Sequence, residues 1–470
     1  MEFQMTREEF KQFIDSKSIE DISSFSSKYD NGELSFESLQ LEISFLYNLG
    51  LFYSEFYETA NPVDTVFRVE DKYYLAIYYY LKAINLYEEN KHLLFSDTDF
   101  VYRIMRRLYV NIGNEFSNQF RSIEALSYYR KAIEIDKSYD MALGNFAKGI
   151  EHHSPLIGTE NDVVSKLFNY LYRIYNSIKI ENIESGDEYF VRKKLQYSTK
   201  QEKYNTHTLL GIMNYNPFDN FTEIKNQTDN YDDWCVKSVL YLNLINDIGD
   251  FEEAKFDLDV FAMNSELNVD KPRLHVLFYL FHLFQIQRKK IYKCRNSQKL
   301  TEAFELAQVF QCLYSYFDKV AFFIYKFFNL VGTERTVSIK SIWTMTDSEN
   351  NTLLQYRNQY LYDIYWLRKE YREYGSDTLK INELLSPDAQ GYADIRNTLE
   401  HKEFSFELID GLMYVNPKHL YSKTLKLAKV VRNMLLSLIR MIIAENKLTD
   451  PQTHKRNFDL IYLEYEGFNN

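Results

Sequence analysis

Glycine and proline are scarce in this chain of 470 residues, at 14 and 7, which disfavours a fold built on sheets and tight turns. Cysteine is scarcer still. Cys235, Cys294 and Cys312 are odd in number and lack C-x-x-C spacing, so neither a disulfide framework nor a zinc site is supported. The most apolar windows, 275–284 and 320–330, are too short to span a membrane, and Lys326 interrupts the second. The first nine residues, with Arg7, Glu8 and Glu9 among them, are no signal peptide. Positive charge is in deficit: a net −12 disfavours indiscriminate nucleic-acid binding by the molecule as a whole. The expectations are a soluble cytoplasmic protein with no membrane partner, no metal and no cofactor.

Aromatic residues are abundant, with 40 Tyr and 35 Phe, and the expected fold class is all-α. Asn111, Ile112, Gly113 and Phe116, then Ala125, Tyr128, Tyr129 and Ala132, alternate small and large residues at the spacing of a tetratricopeptide helix pair. Asp136-Lys137 replaces the usual Asp-Pro, and residues 142–147 begin another first helix. Leu46, Asn48, Leu49, Gly50 and Tyr53 repeat the first-helix pattern, and Ala76, Tyr79, Tyr80 and Ala83 the second. Residues 249–254 read as a further inter-helix turn. The pattern fades over 155–232, where Asn-, Asp- and Thr-rich segments from Asn214 to Asp233 indicate loops or an insertion. Residues 1–290 are therefore expected to hold three to six degenerate repeats, a solenoid able to take a protein or peptide ligand. The adjacent pair His152-His153 diverges by about 100° on a helix and has no third ligand, so it reads as surface.

Between Lys418 and Arg456 nine basic residues face two acids, and Arg288 to Lys299 adds six with no acid. Lys423, Lys426, Lys429 and Arg432 are the candidate phosphate contacts. Beside these stretches, residues 396–401 read R-N-x-x-x-H. With 9 histidines and 20 arginines in the chain, an arginine five positions ahead of a histidine is expected about 0.4 times by chance. Of the five Arg-Asn pairs, at 295, 357, 396, 432 and 456, only Arg396 has the histidine, and the fuller pattern is expected roughly 0.1 times. The plainer reading is a solvated helix with an i,i+4 Arg396–Glu400 pair and His401 near its end.

The spacing of apolar residues predicts helices over 300–330, 352–374 and 420–444, the last ending before Asp450-Pro451. A short helix after Ser386-Pro387-Asp388 carries the motif, its start delayed to about Asp394 by Gly391. This order of helices, with R-N-x-x-x-H on the short one, resembles the HEPN ribonuclease superfamily. The preceding repeats resemble its branch with an N-terminal tetratricopeptide-like region. The resemblance implies a HEPN-like four-helix bundle over 295–470, with Arg396 and His401 as catalytic residues and Asn397 as the polar residue after the arginine. It further implies a homodimer that pairs two motifs across one cleft; on a single helix Arg396 and His401 lie about 140° apart.

The chemistry implied is attack of a ribose 2′-hydroxyl on the adjacent phosphodiester, leaving a 2′,3′-cyclic phosphate and a 5′-hydroxyl. His401 moves the protons, Arg396 neutralises the non-bridging oxygens and Asn397 orients one or the other, without a metal. The expected function is an endoribonuclease regulated by the repeats, in growth arrest or anti-phage defence. The alternative is a non-catalytic scaffold whose repeats bind a partner and whose bundle only dimerises.

Overall fold

The computed structural model describes residues 3–15, 19–60, 74–94, 97–153, 161–178, 192–193, 195, 224, 230–263, 267–295, 299–356, 358–371 and 386–448. The chain divides into two compact units, residues 1–145 with 376–387, and residues 146–375 with 388–470.

In the first unit, β1 (Phe3–Met5) pairs in parallel with β2 (Leu34–Phe36), and between them run α1 (Arg7–Asp15) and α2 (Ile19–Asp30). Thr6 opens α1 with a capping box: its hydroxyl takes the Glu9 amide at 3.3 Å, and the Glu9 carboxylate takes the Thr6 amide at 2.8 Å. Two packed helix pairs follow, α3 (Leu39–Ala60) with α4 (Leu75–Glu89), and α5 (Arg106–Asn118) with α6 (Ser122–Ile135). Both pairs use one packing device. A Cβ on Gly50 would lie 2.4 Å from the Tyr80 ring, and a Cβ on Gly113 would lie 2.5 Å from the Tyr129 ring. The missing side chain lets a tyrosine of the second helix lie directly on the backbone of the first. The mainly helical first unit is compatible with the expected repeats.

The helix α7 (Asp140–His153) follows, and the division between the units falls within it. The second unit then holds α8 (Asn161–Ser177) and α9 (Tyr231–Lys237). Most of the stretch read as an insertion lies outside the described residues, but α8 and the start of α9 fall within it, so it is not all loop. Residues 249–254 do not join two long helices. They follow one turn of helix, Ile245–Ile248, and lead into a short 3-10 turn, Glu252–Ala254. Polar side chains divert the backbone here: Asn246 binds the Tyr241 amide at 3.0 Å and the Val236 carbonyl at 2.8 Å, and Asn243 donates to the Ala254 carbonyl at 2.9 Å.

Next come α10 (Lys271–Lys293), capped by Asp270, then α11 (Leu300–Tyr314) and α12 (Tyr316–Phe327). The single helix expected over 300–330 is thus two, parted at Ser315, whose hydroxyl donates to the Cys312 carbonyl at 2.7 Å. The helix expected over 352–374 is shorter, α13 (Gln359–Leu367), with Asn358 as its cap; residues 372–374 lie outside the described residues. The last helices are α14 (Pro387–His401) and α15 (Pro417–Leu448), separated by the two-residue parallel pair β3 (Phe404–Ser405) and β4 (Met413–Tyr414). From Met434 to Ile443 every residue of α15 is buried, as a central helix requires. It packs against α10, α11, α12 and α13. No helix among the described residues is long and apolar enough to cross a membrane.

The histidines read as surface are core residues. His153 is fully buried and His152 half-buried, with Tyr360 Oη 3.2 Å and Gln359 Nε2 3.3 Å from His152 Nε2. Arg440 of α15 donates to the His152 carbonyl at 3.1 Å and to the Tyr360 hydroxyl. Burial, and then the Arg440 charge, push the His152 imidazolium down to about 3 and that of His153 well below its usual value. Helical divergence hid the fact that the end of α7 faces a core lined by α13 and α15.

Candidate functional site

The motif helix α14 begins at Pro387, with no delay at Gly391. Proline is pre-set for a first helical position, and Gly391 is tolerated inside the helix. Its start is tied to α15 through Asp388, which receives Lys423 Nζ at 2.5 Å and Lys426 Nζ at 3.0 Å. Burial would raise the Asp388 pKa, but the two ammonium groups outweigh it and hold the carboxyl below its ordinary range. Ala389, Tyr392, Ala393, Ile395 and Thr398 form the buried face, with Tyr392 against Phe310 of α11 at 6.3 Å between ring centres. This spacing leaves Arg396, Glu400 and His401 at the margin and on the outside of the helix.

Glu400 joins the two residues that the helical wheel separates. It lies about 40° round the helix from Arg396 and about 100° from His401, on the arc between them. Its Oε2 atom is 2.9 Å from Arg396 Nε and 3.6 Å from His401 Nε2. The Arg396 guanidinium also lies over the Tyr314 ring, 5.5 Å from its centre. Tyr314 stacks on Tyr371 at 4.8 Å, and both rings are buried. Burial acts to lower the Arg396 pKa, but the hydrogen bond and charge of Glu400 prevail and raise it. Arg396 is therefore a fixed cation at the edge of an aromatic floor. His401, the last residue of α14, has 51% of its side chain exposed. Asn397 is half-buried, and its Oδ1 is buried without a hydrogen-bond partner among the described residues.

The i,i+4 pair of the plainer reading is thus present, and it shares its acceptor oxygen with the motif histidine. Arginine with imidazole suffices for charge neutralisation and proton transfer at a phosphodiester. The roles of Tyr314 and Tyr371 had no signal in the sequence beyond the aromatic periodicity of their helices.

The four basic candidates separate. Lys423 and Lys426 hold Asp388, and Lys429 is exposed on the same helix. Arg432 is a correction: its residue is 1% exposed, so it presents nothing to RNA. It holds Asp247 through two contacts, Nη1–Oδ1 at 3.0 Å and Nη2–Oδ2 at 2.6 Å, and donates to the carbonyls of Tyr241 and Asn243. Arg288, in the other basic stretch, is likewise buried and pairs with both oxygens of Asp257 at 2.7 Å. These guanidiniums stand opposite carboxylates more than thirty residues earlier in the chain, a pairing that a local charge sum does not reveal.

Residues 283–446 match the family described as LA2681-like HEPN. The segment is HEPN-like. No curated protein and no solved structure matches the chain. The match contains α11 to α14, the motif and nearly all of α15, whereas the compact unit holding most of this HEPN-like segment begins at residue 146. Asp247 and Asp257, the buried partners of Arg432 and Arg288, lie outside the match.

Proposed function

We propose that the protein is an endoribonuclease whose HEPN-like segment cleaves RNA without a metal, with Arg396 and His401 as catalytic residues. The observation that carries this reading is the meeting of Arg396 and His401 at one carboxylate oxygen, on the edge of α14, within the segment matched to the HEPN family. The 2′-hydroxyl attacks phosphorus, its proton goes to a base, the P–O5′ bond breaks, and the 5′ oxygen takes a proton. His401 serves these proton transfers in one protonation state or the other, and Arg396 balances the charge on the non-bridging oxygens. DNA has no 2′-hydroxyl and is not cleaved by this route. Asn397 orients the imidazole or the phosphate. The unpartnered Asn397 Oδ1 is compatible with that task, since a bound molecule could supply its donor.

The same proposal includes a homodimer that pairs two motifs, and regulation of the nuclease by the repeat region expected over residues 1–290, in a toxin or defence role. The test is cleavage of mixed RNA by the full chain in EDTA. Arg396→Ala and His401→Ala should each lose about 10²- to 10⁴-fold in rate with unfolding unchanged. Equal cleavage by His401→Ala removes the catalytic assignment, and absence of cleavage by the parent leaves the scaffold reading. Strictly monomeric, active protein in light scattering removes the paired-motif site.

A further inference from the structure

The geometry points to Glu400 as a positioning residue for Arg396, holding the Nε edge of the guanidinium so that its two Nη groups face the phosphate. This inference rests on the ribonuclease reading above. A guanidinium has five N–H donors in a rigid fork, and its Nη pair matches two phosphate oxygens only if the plane is held still. Two contacts hold the plane here. Glu400 Oε2 takes Nε at 2.9 Å and Tyr314 lies against the group at 5.5 Å, while Tyr371 stacks on Tyr314 at 4.8 Å. Among the described residues no hydrogen bond joins Nη1 or Nη2, and neither is among the fully buried unpartnered atoms.

The shared oxygen gives the contact a second consequence. Glu400 Oε2 also lies 3.6 Å from His401 Nε2, so one carboxylate stands between the charge-neutralising group and the proton-transferring group. Free arginine at a helix margin samples many rotamers, and each orientation away from the phosphate lowers the fraction of productive complexes. The loss on removing Glu400 therefore falls on kcat more than on KM.

The experiment uses the full chain labelled with 15N-arginine, with the Arg396 Nε–H resonance assigned by its loss in Arg396→Lys, together with cleavage of a short RNA in EDTA. In the unmodified protein the resonance should be resolved and protected from exchange. Glu400→Ala should merge it with the envelope of free arginines and lower kcat about tenfold, with KM within about threefold. Glu400→Gln keeps a carbonyl acceptor for Nε and should recover most of both signals. Unchanged kcat in Glu400→Ala overturns the proposal, and increased kcat does so too, since Glu400 would then be a competitor of the phosphate. Failure of Glu400→Ala to fold shows a residue needed for folding, and the proposal falls. Absence of cleavage by the unmodified protein, with its Nε–H resonance protected, overturns the ribonuclease reading and leaves Glu400–Arg396 a helix-surface ion pair. Cleavage together with an unprotected resonance overturns the positioning role alone.

Discussion

Replacing Arg432 with alanine would leave Asp247 buried without its cation, together with two carbonyls without their donor. Stranding one member of such a pair costs about 3–5 kcal/mol, a large share of a domain's stability. Arg432→Ala should therefore lower the denaturant midpoint sharply or yield insoluble protein. Lys429→Ala, on the exposed side of the same helix, should stay within about 0.5 kcal/mol of the parent. If Lys429 meets a phosphate, its loss reduces the salt dependence of RNA binding by about one ion. A second residue-scale outcome concerns His152, whose folded pKa of about 3 lies below the ordinary 6.5. Between those values the unfolded chain binds a proton that the folded chain refuses, so stability falls as pH falls below about 6.5 and reaches its full loss near 3. Each such histidine contributes a slope of about 1.4 kcal/mol per pH unit, and His153 shifts in the same direction. Denaturant unfolding at pH 7 and pH 5 tests this: the midpoint should drop in the parent and drop less in His153→Phe. An equal drop in both removes His153 from the acid response.

At the scale of elements, periodicity revealed existence better than ends. The apolar stripe of α15 and the small–aromatic alternation of the α3–α4 and α5–α6 pairs are local patterns, and they were legible. The Ser315 break, the one-turn helix Ile245–Ile248 and the buried end of α7 depend on side chains meeting backbone or distant helices, which no window of sequence contains. The same distinction applies to the site. Arg396, Asn397 and His401 were visible as spacing, whereas Tyr314 and Tyr371 enter from elsewhere in the chain. The glycine–tyrosine device yields a sharp expectation. Gly113→Ala would put its methyl carbon inside the contact distance of the buried Tyr129 ring, whose hydroxyl is held by Asn114 at 3.0 Å. Such overpacking costs about 1–3 kcal/mol. Thermal unfolding should show the loss, and adding Tyr129→Leu should recover part of it, because the two changes share one contact.

For the whole molecule, the family match and the compact unit do not coincide. A fragment of residues 295–470 keeps Arg432 and Arg440 but lacks Asp247, His152 and α10. It should be unfolded or aggregated by circular dichroism and light scattering. A folded, soluble 295–470 fragment would show that residues 146–294 are dispensable to the bundle. The span from Asp247 to Arg432 also sets an order of events during synthesis. These partners stand 185 residues apart. At cellular rates of elongation the carboxylate waits on the order of ten to forty seconds for its cation. The motif on α14 is made before α15, which brings the two lysines for Asp388 and the guanidinium for Asp247. A ribosome stalled just past His401 therefore holds a chain with Arg396 and His401 but no frame to set them in. On the proposed function, interrupted translation should yield inactive stumps, the nuclease coming into being only once α15 has been made.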